Sequence, residues 1–230
     1  MYALIIAGGE GQRLRPLTND RPKAMLSVAG RPLLEHQVSW LRDNGVTNVV
    51  IACGYLHEVI QAHFQDGHRW DLEIRYSVER EPLGRGGALR MAYVQVPADE
   101  PFVIATNGDN IQTQPLSPVI KQHLRTDAAA TLLLTQLRSP YGIAKERGKR
   151  IVGFTEKPLL AHWLNAGMYV LSREFCLALP DRGDHEDHLF PRLAGEGRLY
   201  GFRSRSYWKA IDTAKDLTEA EQELSHTAAN

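Results

Sequence analysis

The sequence predicts an α/β protein: a mostly parallel sheet with helices on both faces. Short apolar runs alternate with helix-like stretches through the first 135 residues. Most of those runs are apolar at every position, as expected for strands covered on both faces. Alternation of this kind favours parallel strands joined by crossover helices.

Each element follows from its own residues. Residues 2–7 (YALIIA) read as the first strand. Helical spacing over 32–43 opens on Pro32, which suits a first turn, and stops at Asn44-Gly45. Strands over 48–53 (NVVIAC), 73–78 (EIRYSV), 102–106 (FVIAT) and 129–135 (AATLLLT) alternate with helices over 56–64, 86–95 and 116–125. The second half changes character. Residues 138–156 look like a hairpin around Glu146-Arg147-Gly148-Lys149, and 165–171 and 198–203 like further strands. Residues 213–225 read as a polar, amphipathic terminal helix, and about the last eight residues as a frayed end. No repeat or low-complexity linker interrupts the chain, so one domain over 1–230 is expected.

Composition excludes several classes of partner. Lys plus Arg is 27 and Asp plus Glu is 27, so there is no global pull on nucleic acid or anionic lipid. No segment approaches the roughly 20 apolar residues of a membrane span. The opening MYALIIAGG is too short and lacks the basic start of a signal peptide. The expectation is a cytoplasmic monomer or homodimer without nucleic-acid or membrane partners. Cys53 and Cys176 sit in apolar surroundings and read as reduced core thiols.

Against that neutral background, Arg13, Arg15, Arg21 and Lys23 crowd into one short stretch directly after Gly8, Gly9 and Gly11. The loop leaves the carboxyl end of the first strand, where open α/β sheets bind ligands. Its glycines let backbone N–H groups approach an anion closely. A small anionic ligand is therefore expected. The loop is neither a P-loop, since no Gly-Lys-Ser/Thr follows, nor a dinucleotide fingerprint, since Leu14 stands where the last glycine belongs.

Gly8-Gly9-Glu10-Gly11-Gln12-Arg13-Leu14-Arg15-Pro16-Leu17-Thr18, then Pro22-Lys23-Ala24, resembles the GGxGxRLxPLT…PKP signature of sugar-1-phosphate nucleotidyltransferases, also called nucleoside-diphosphate-sugar pyrophosphorylases. The one departure is Ala24 for proline. The resemblance runs to about residue 217. It implies a glycosyltransferase-A-like fold with a Rossmann-like sheet: a nucleotide-binding half over 1–135, a sugar-phosphate-binding half over 136–212, and a terminal helix and tail over 213–230. Lys23 is implied as catalytic at the α-phosphate. Arg13, with Gly8, Gly9 and Gly11, is implied to hold the departing phosphates.

The remaining motifs extend the resemblance. Glu81-Pro82-Leu83-Gly84-Arg85-Gly86-Gly87-Ala88-Leu89 is similar to the loop that approaches the nucleobase, with Arg85 in place of threonine. It implies nucleotide contacts from Glu81, Gly84 and Gly87. Asp109, just past a buried strand and a glycine, suits Mg²⁺, which takes one or two carboxylates plus phosphate oxygens. Trp208-Lys209-Ala210-Ile211-Asp212-Thr213 resembles the W-x-x-M-D-T of hexose cytidylyltransferases and makes Asp212 the second metal carboxylate. An N-cap for the terminal helix is the competing role, compatible if Thr213 caps. Gly142, Glu156, Lys157 and Asn165 are implied as the sugar-phosphate pocket.

The reaction implied joins a nucleoside triphosphate to a sugar 1-phosphate and releases pyrophosphate, with Mg²⁺ as cofactor. The short EPLGxGGAL loop resembles that of guanylyltransferases of mannose- or heptose-type 1-phosphates, and that of uridylyltransferases only a little less. GTP is therefore favoured over UTP or CTP. A cytidylyltransferase for an alcohol phosphate such as phosphocholine is disfavoured, since the chain has the EKP and NAG segments. A non-catalytic nucleotide-sugar sensor of the same fold is disfavoured because the arginine, lysine and aspartates are present. A nucleotide-sugar-dependent glycosyltransferase lacks support because no D-x-D follows Asp109. The acyltransferase domain of bifunctional relatives is not expected within these 230 residues. None of the four tryptophans is assigned to a ligand, and Asp184-His185-Glu186-Asp187-His188 reads as an acidic helix start rather than a metal site.

Overall fold

The computed structural model describes residues 1–227. Its elements in order are β1 (Tyr2–Ile6), β2 (Ser27–Val28), β3 (Arg31–Pro32), α1 (Leu33–Asp43), β4 (Asn48–Cys53), α2 (His57–Phe64), β5 (Glu73–Val78), α3 (Gly84–Tyr93), β6 (Phe102–Asn107), β7 (Asn110–Gln112) and α4 (Leu116–Arg125). There follow β8 (Ala130–Arg138), β9 (Ile143–Arg147), β10 (Arg150–Thr155), β11 (Leu159–Ser172), α5 (Arg173–Leu177), α6 (His185–Gly195), β12 (Leu199–Arg203), β13 (Trp208–Ala210) and α7 (Ala214–Thr227). The frayed end expected from about residue 223 is helical as far as Thr227, and the final three residues lie outside the described ones.

Seven strands form the central sheet in the order β12-β8-β11-β6-β1-β4-β5. β1 is flanked on both sides by parallel partners, β4 and β6. Its interior residues are buried, which is why YALIIA carries no alternation. β5 closes the edge, and its EIRYSV does alternate, with the charged Glu73 and Arg75 exposed. The second half is mixed: β11 runs antiparallel to both β6 and β8, and β12 parallel to β8. An antiparallel return needs no crossover helix. The expected strand over 165–171 is therefore part of one longer strand beginning at Leu159.

Helices cover both faces. α1, α2 and α4 contribute Leu34, Val38, Ile60, Phe64 and Val119 to one core layer. α3, α5 and α6 contribute Leu89, Ala92, Phe175, Leu189 and Leu193 to the other. Cys53 lies in the first layer and Cys176 in the second, both reduced and buried, with burial pushing each thiol up to about 12. A third cluster of Leu14, Leu26, Val28, Leu33, Ile111, Ile211 and Ala220 docks α7 against the opening segment. An isolated helix of 14 residues is marginal in water. Burying side chains such as these, at roughly 1.5–3 kcal/mol for a large one, holds it in place.

Candidate active site

The site is assembled where the carboxyl ends of β1 and β6 meet the chain returning through β13. Gly11 adopts φ 63, and a Cβ there would press on the Lys23 and Thr18 side chains. Thr18 Oγ1 and the Leu14 N–H both donate to the Gly11 carbonyl, at 3.0 and 2.9 Å, which tightens the loop into a compact turn. Lys23 opens a single 3-10 turn whose next residues, Ala24 and Met25, are buried. That anchor directs the lysine inward.

β7 and β13 form a short antiparallel ladder that pairs Asn110 with Ala210. The Ile211 N–H then donates to the Asp109 carbonyl at 3.1 Å. The ladder brings Asp109 and Asp212 together from opposite halves of the chain. Lys23 Nζ lies between them, 2.7 Å from Asp109 Oδ2 and 2.8 Å from Asp212 Oδ1. Arg13 Nη2 donates to the same Asp212 oxygen at 3.0 Å. Burial pushes the Asp212 carboxyl up, but the Lys23 hydrogen bond and the charges of Lys23 and Arg13 outweigh it and hold the group below its ordinary range.

Thr213 and Asp216 answer the question of the helix cap. Thr213 Oγ1 accepts the Asp216 N–H at 3.3 Å, and Asp216 Oδ2 accepts the N–H groups of Thr213 and Asp212 at 2.7 and 3.0 Å. This reciprocal box caps α7 without the Asp212 side chain. The Asp212 carboxylate is left to face Lys23.

Two carboxylates converging on one ammonium are also a donor set that fits Mg²⁺, a hard cation that binds carboxylate oxygen. No group of three or more His, Cys, Asp or Glu side chains suited to a metal occurs among the described residues. Phosphate oxygens and water would have to complete the coordination.

The other expected residues fall in three places. Gly8 faces Glu79: a Cβ on Gly8 would overlap the Glu79 carboxylate. Glu79 Oε2 also accepts the Leu83 N–H at 2.9 Å, so it spans the glycine loop and the start of α3. Glu81 instead is exposed and lies 4.0 Å from Arg182. Glu79, two positions upstream in the same E-R-E, is the carboxylate that lies against the glycine loop, and sequence reasoning did not single it out. Gly86 and Gly87 donate their N–H groups to the Gly183 carbonyl at 2.9 and 3.3 Å. A Cβ on Gly84, Gly86 or Gly87 would strike the 180–185 segment, so these glycines serve close packing of α3 against that loop.

In the second half of the chain, a Cβ on Gly142 would come within 2.8 Å of Glu156 Oε2, so those two meet at the base of the β9–β10 arm. Lys157 is exposed and left-handed at φ 45, with its carbonyl bound by Arg138 at 3.0 Å. Asn165 lies farther along β11. Its neighbour Ala166 is tied to the segment after Asp109, for its carbonyl accepts Asn110 Nδ2 at 2.9 Å and Trp208 Nε1 at 2.8 Å. The other tryptophans make contacts within the chain: Trp40 donates to the Gln114 carbonyl, Trp70 packs on Phe64, and Trp163 lies under Arg203.

A family model described as nucleotidyl transferase matches residues 2–227. The chain belongs to the nucleotidyl transferase family. The transferase is 31% identical over 232 residues to D-glycero-alpha-D-manno-heptose 1-phosphate guanylyltransferase of Aneurinibacillus thermoaerophilus, covering 98% of this chain and 99% of that one. It is 35% identical over 226 residues to the mannose-1-phosphate guanylyltransferase catalytic subunit beta of Danio rerio, where it covers 94% of its own length and spans 62% of the relative. In fold the transferase is similar to the crystal structure of HddC from Yersinia pseudotuberculosis, with TM-score 0.78 at 24% identity, covering 97% of this chain and 99% of that one. No helix among the described residues is long and apolar enough to cross a membrane.

Proposed function

We propose that this enzyme joins GTP to a sugar 1-phosphate, yielding a GDP-sugar and pyrophosphate. The single observation that carries the reading is the convergence of Asp109 and Asp212 on Lys23 Nζ, at 2.7 and 2.8 Å. Relatives named as heptose- and mannose-1-phosphate guanylyltransferases support the choice of base and of sugar class.

The chemistry needs little from general bases. A phosphate oxygen of the sugar 1-phosphate is already an anion and attacks the α-phosphorus. One P–O bond forms there as the bond to the β-phosphate oxygen breaks, and pyrophosphate leaves with the electron pair. The obstacle is the repulsion of two polyanions brought into line, so catalysis is positioning and charge neutralisation. Arg13 and the N–H groups of Gly8, Gly9 and Gly11 hold the β- and γ-phosphates. Lys23 shifts from the aspartates to the α-phosphate, and Lys157 orients the attacking phosphate. Asp109 and Asp212 would hold Mg²⁺, which supplies Lewis-acid stabilisation of charge on the phosphate oxygens. Gly142, Glu156 and Asn165 take the sugar. Gly84 and Gly87 shape the α3 entrance beside the base. Glu79 and Glu81 are the two carboxylates available to guanine N1–H and its amine, and Glu79, against the glycine loop, is assigned that contact.

The test is a pyrophosphate-release screen of four nucleoside triphosphates against a panel of sugar 1-phosphates. The highest kcat/KM is expected with GTP, with loss of turnover under chelation and recovery on adding Mg²⁺. A higher kcat/KM with UTP or CTP would overturn the choice of base. No turnover with any pair would overturn the reaction itself.

A further inference from the structure

Arg85 stands where the motif it resembles has threonine, within a stretch assigned to the nucleotide. Its guanidinium turns the other way. Nη2 and Nε donate to Asp184 Oδ2 at 2.7 and 3.1 Å, and the Arg85 backbone N–H donates to Asp184 Oδ1 at 2.7 Å. Nη1 lies 2.5 Å from Glu186 Oε2.

The other oxygen of Glu186 continues the chain of contacts. Oε1 accepts from Asn165 Nδ2 at 2.8 Å and from the Tyr169 hydroxyl at 2.7 Å. The Tyr169 hydroxyl in turn accepts from Asn165 Nδ2 at 2.9 Å. Asn165 Oδ1 accepts the Gly167 N–H at 3.0 Å. Tyr169 is buried and Glu186 is only 20% exposed, while Asn165 at the end of the chain of contacts is exposed and open to a ligand.

Counting donors and acceptors says what Asn165 has left. An amide nitrogen carries two protons and an amide oxygen two lone pairs. The amide nitrogen faces Glu186 and Tyr169, and one lone pair of the amide oxygen is committed to Gly167. The remaining lone pair suits a hydroxyl that donates. Glu186 enforces this polarity, because its carboxylate accepts only and so keeps the nitrogen turned inward. Arg85 holds Glu186 by its outer oxygen. Without that cation, Glu186 and Asp184 would face each other as unneutralised like charges, and Glu186 would turn to solvent.

We infer that Arg85 is a positioning residue of the sugar-1-phosphate site, acting through Glu186 to present Asn165 as a hydrogen-bond acceptor for a free sugar hydroxyl, and making no contact with base or triphosphate. The inference rests on the proposed reading that Asn165 meets the sugar. It names the substrate feature selected: a hydroxyl donor at the contacted carbon.

Arg85→Ala and Arg85→Lys, each alone and combined with Asn165→Ala, test it by steady-state kinetics with both substrates varied and by melting temperature. For Arg85→Ala, KM for the sugar 1-phosphate is expected to rise about tenfold, the scale of one lost charge-assisted hydrogen bond, with KM for the triphosphate within about twofold of wild type. Arg85→Lys, which keeps the charge, is expected to recover part of the loss. In the Asn165→Ala background, Arg85→Ala is expected to add nothing further to the sugar KM. A rise confined to the triphosphate KM, an unchanged sugar KM, or equal effects with and without Asn165 would overturn the inference. An Asn165→Ala enzyme with wild-type sugar KM would overturn the assignment of Asn165 beneath it; damage from Asn165→Ala beside a silent Arg85→Ala would overturn the role of Arg85 alone.

Discussion

Lys23 is claimed by two carboxylates at once, with a side chain only 13% exposed. Arg13, by contrast, is 74% exposed. Lys23→Ala is expected to cut turnover by about 100-fold or more, as for loss of one preorganised electrostatic contact. It would also leave Asp109 without its cation and Asp212 with Arg13 alone. Mg²⁺ is therefore expected to raise the melting temperature of Lys23→Ala more than that of wild type; an equal shift would show that lysine and metal do not share the carboxylates. Asp109→Asn and Asp212→Asn are each expected to lower turnover about 100-fold with the fold retained, which circular dichroism and kinetics together would check. Near-normal turnover in either would remove that residue from the metal set. The sequence marks these three positions, which the structure brings into contact, because each sits in a local motif at a strand or helix end. The partners of Arg85 were not: an ion pair to Asp184, 99 positions away, leaves no periodicity to read.

At the scale of elements, α6 begins with a histidine that has no exposure at all. The rings of Tyr169, Phe175 and Phe190 stand edge-on to His185, and neither ring nitrogen has a hydrogen-bond partner. Burial is the main cause that lowers its pKa from 6.5 to about 4; Arg85 adds to the shift, while Glu186, Asp184 and Asp187 oppose it. A folded pKa below the unfolded one means that the unfolded state binds the proton first. The neutral ring's contribution is thus complete above about pH 6.5 and falls as pH drops toward 4, by up to about 3 kcal/mol. His185→Phe is expected to flatten that part of the stability profile in denaturant titrations; an unchanged slope would show that other groups set it. Sequence reading caught the acidic start of this helix. It missed the β7–β13 ladder, whose three-residue strands are too short for a pattern, yet that ladder is what places Asp212 beside Asp109.

For the whole molecule, the legible half was the parallel one. Buried strands joined by helices announce themselves as apolar runs between amphipathic stretches, and β1, β4, β5 and β6 begin within a residue of expectation. The return of β11 was harder to see, because a strand that starts exposed beside the β9–β10 arm and ends inside the sheet changes its exposure midway. The β9–β10 arm has its own consequence. Every residue from Ile143 to Thr155 except Gly153 is exposed, including Ile151, Val152 and Phe154. A two-stranded ribbon without a covering layer is marginal by itself, and weakly packed units open with low free energy. Amide protons of the arm are expected to exchange with deuterium far faster than those of β1 or β4. Glu156 and Gly142 lie at its base, so a bound sugar 1-phosphate is expected to slow that exchange while the triphosphate alone does not. Mass-resolved exchange would then report acceptor binding from a ribbon of chain that carries out no chemistry of its own.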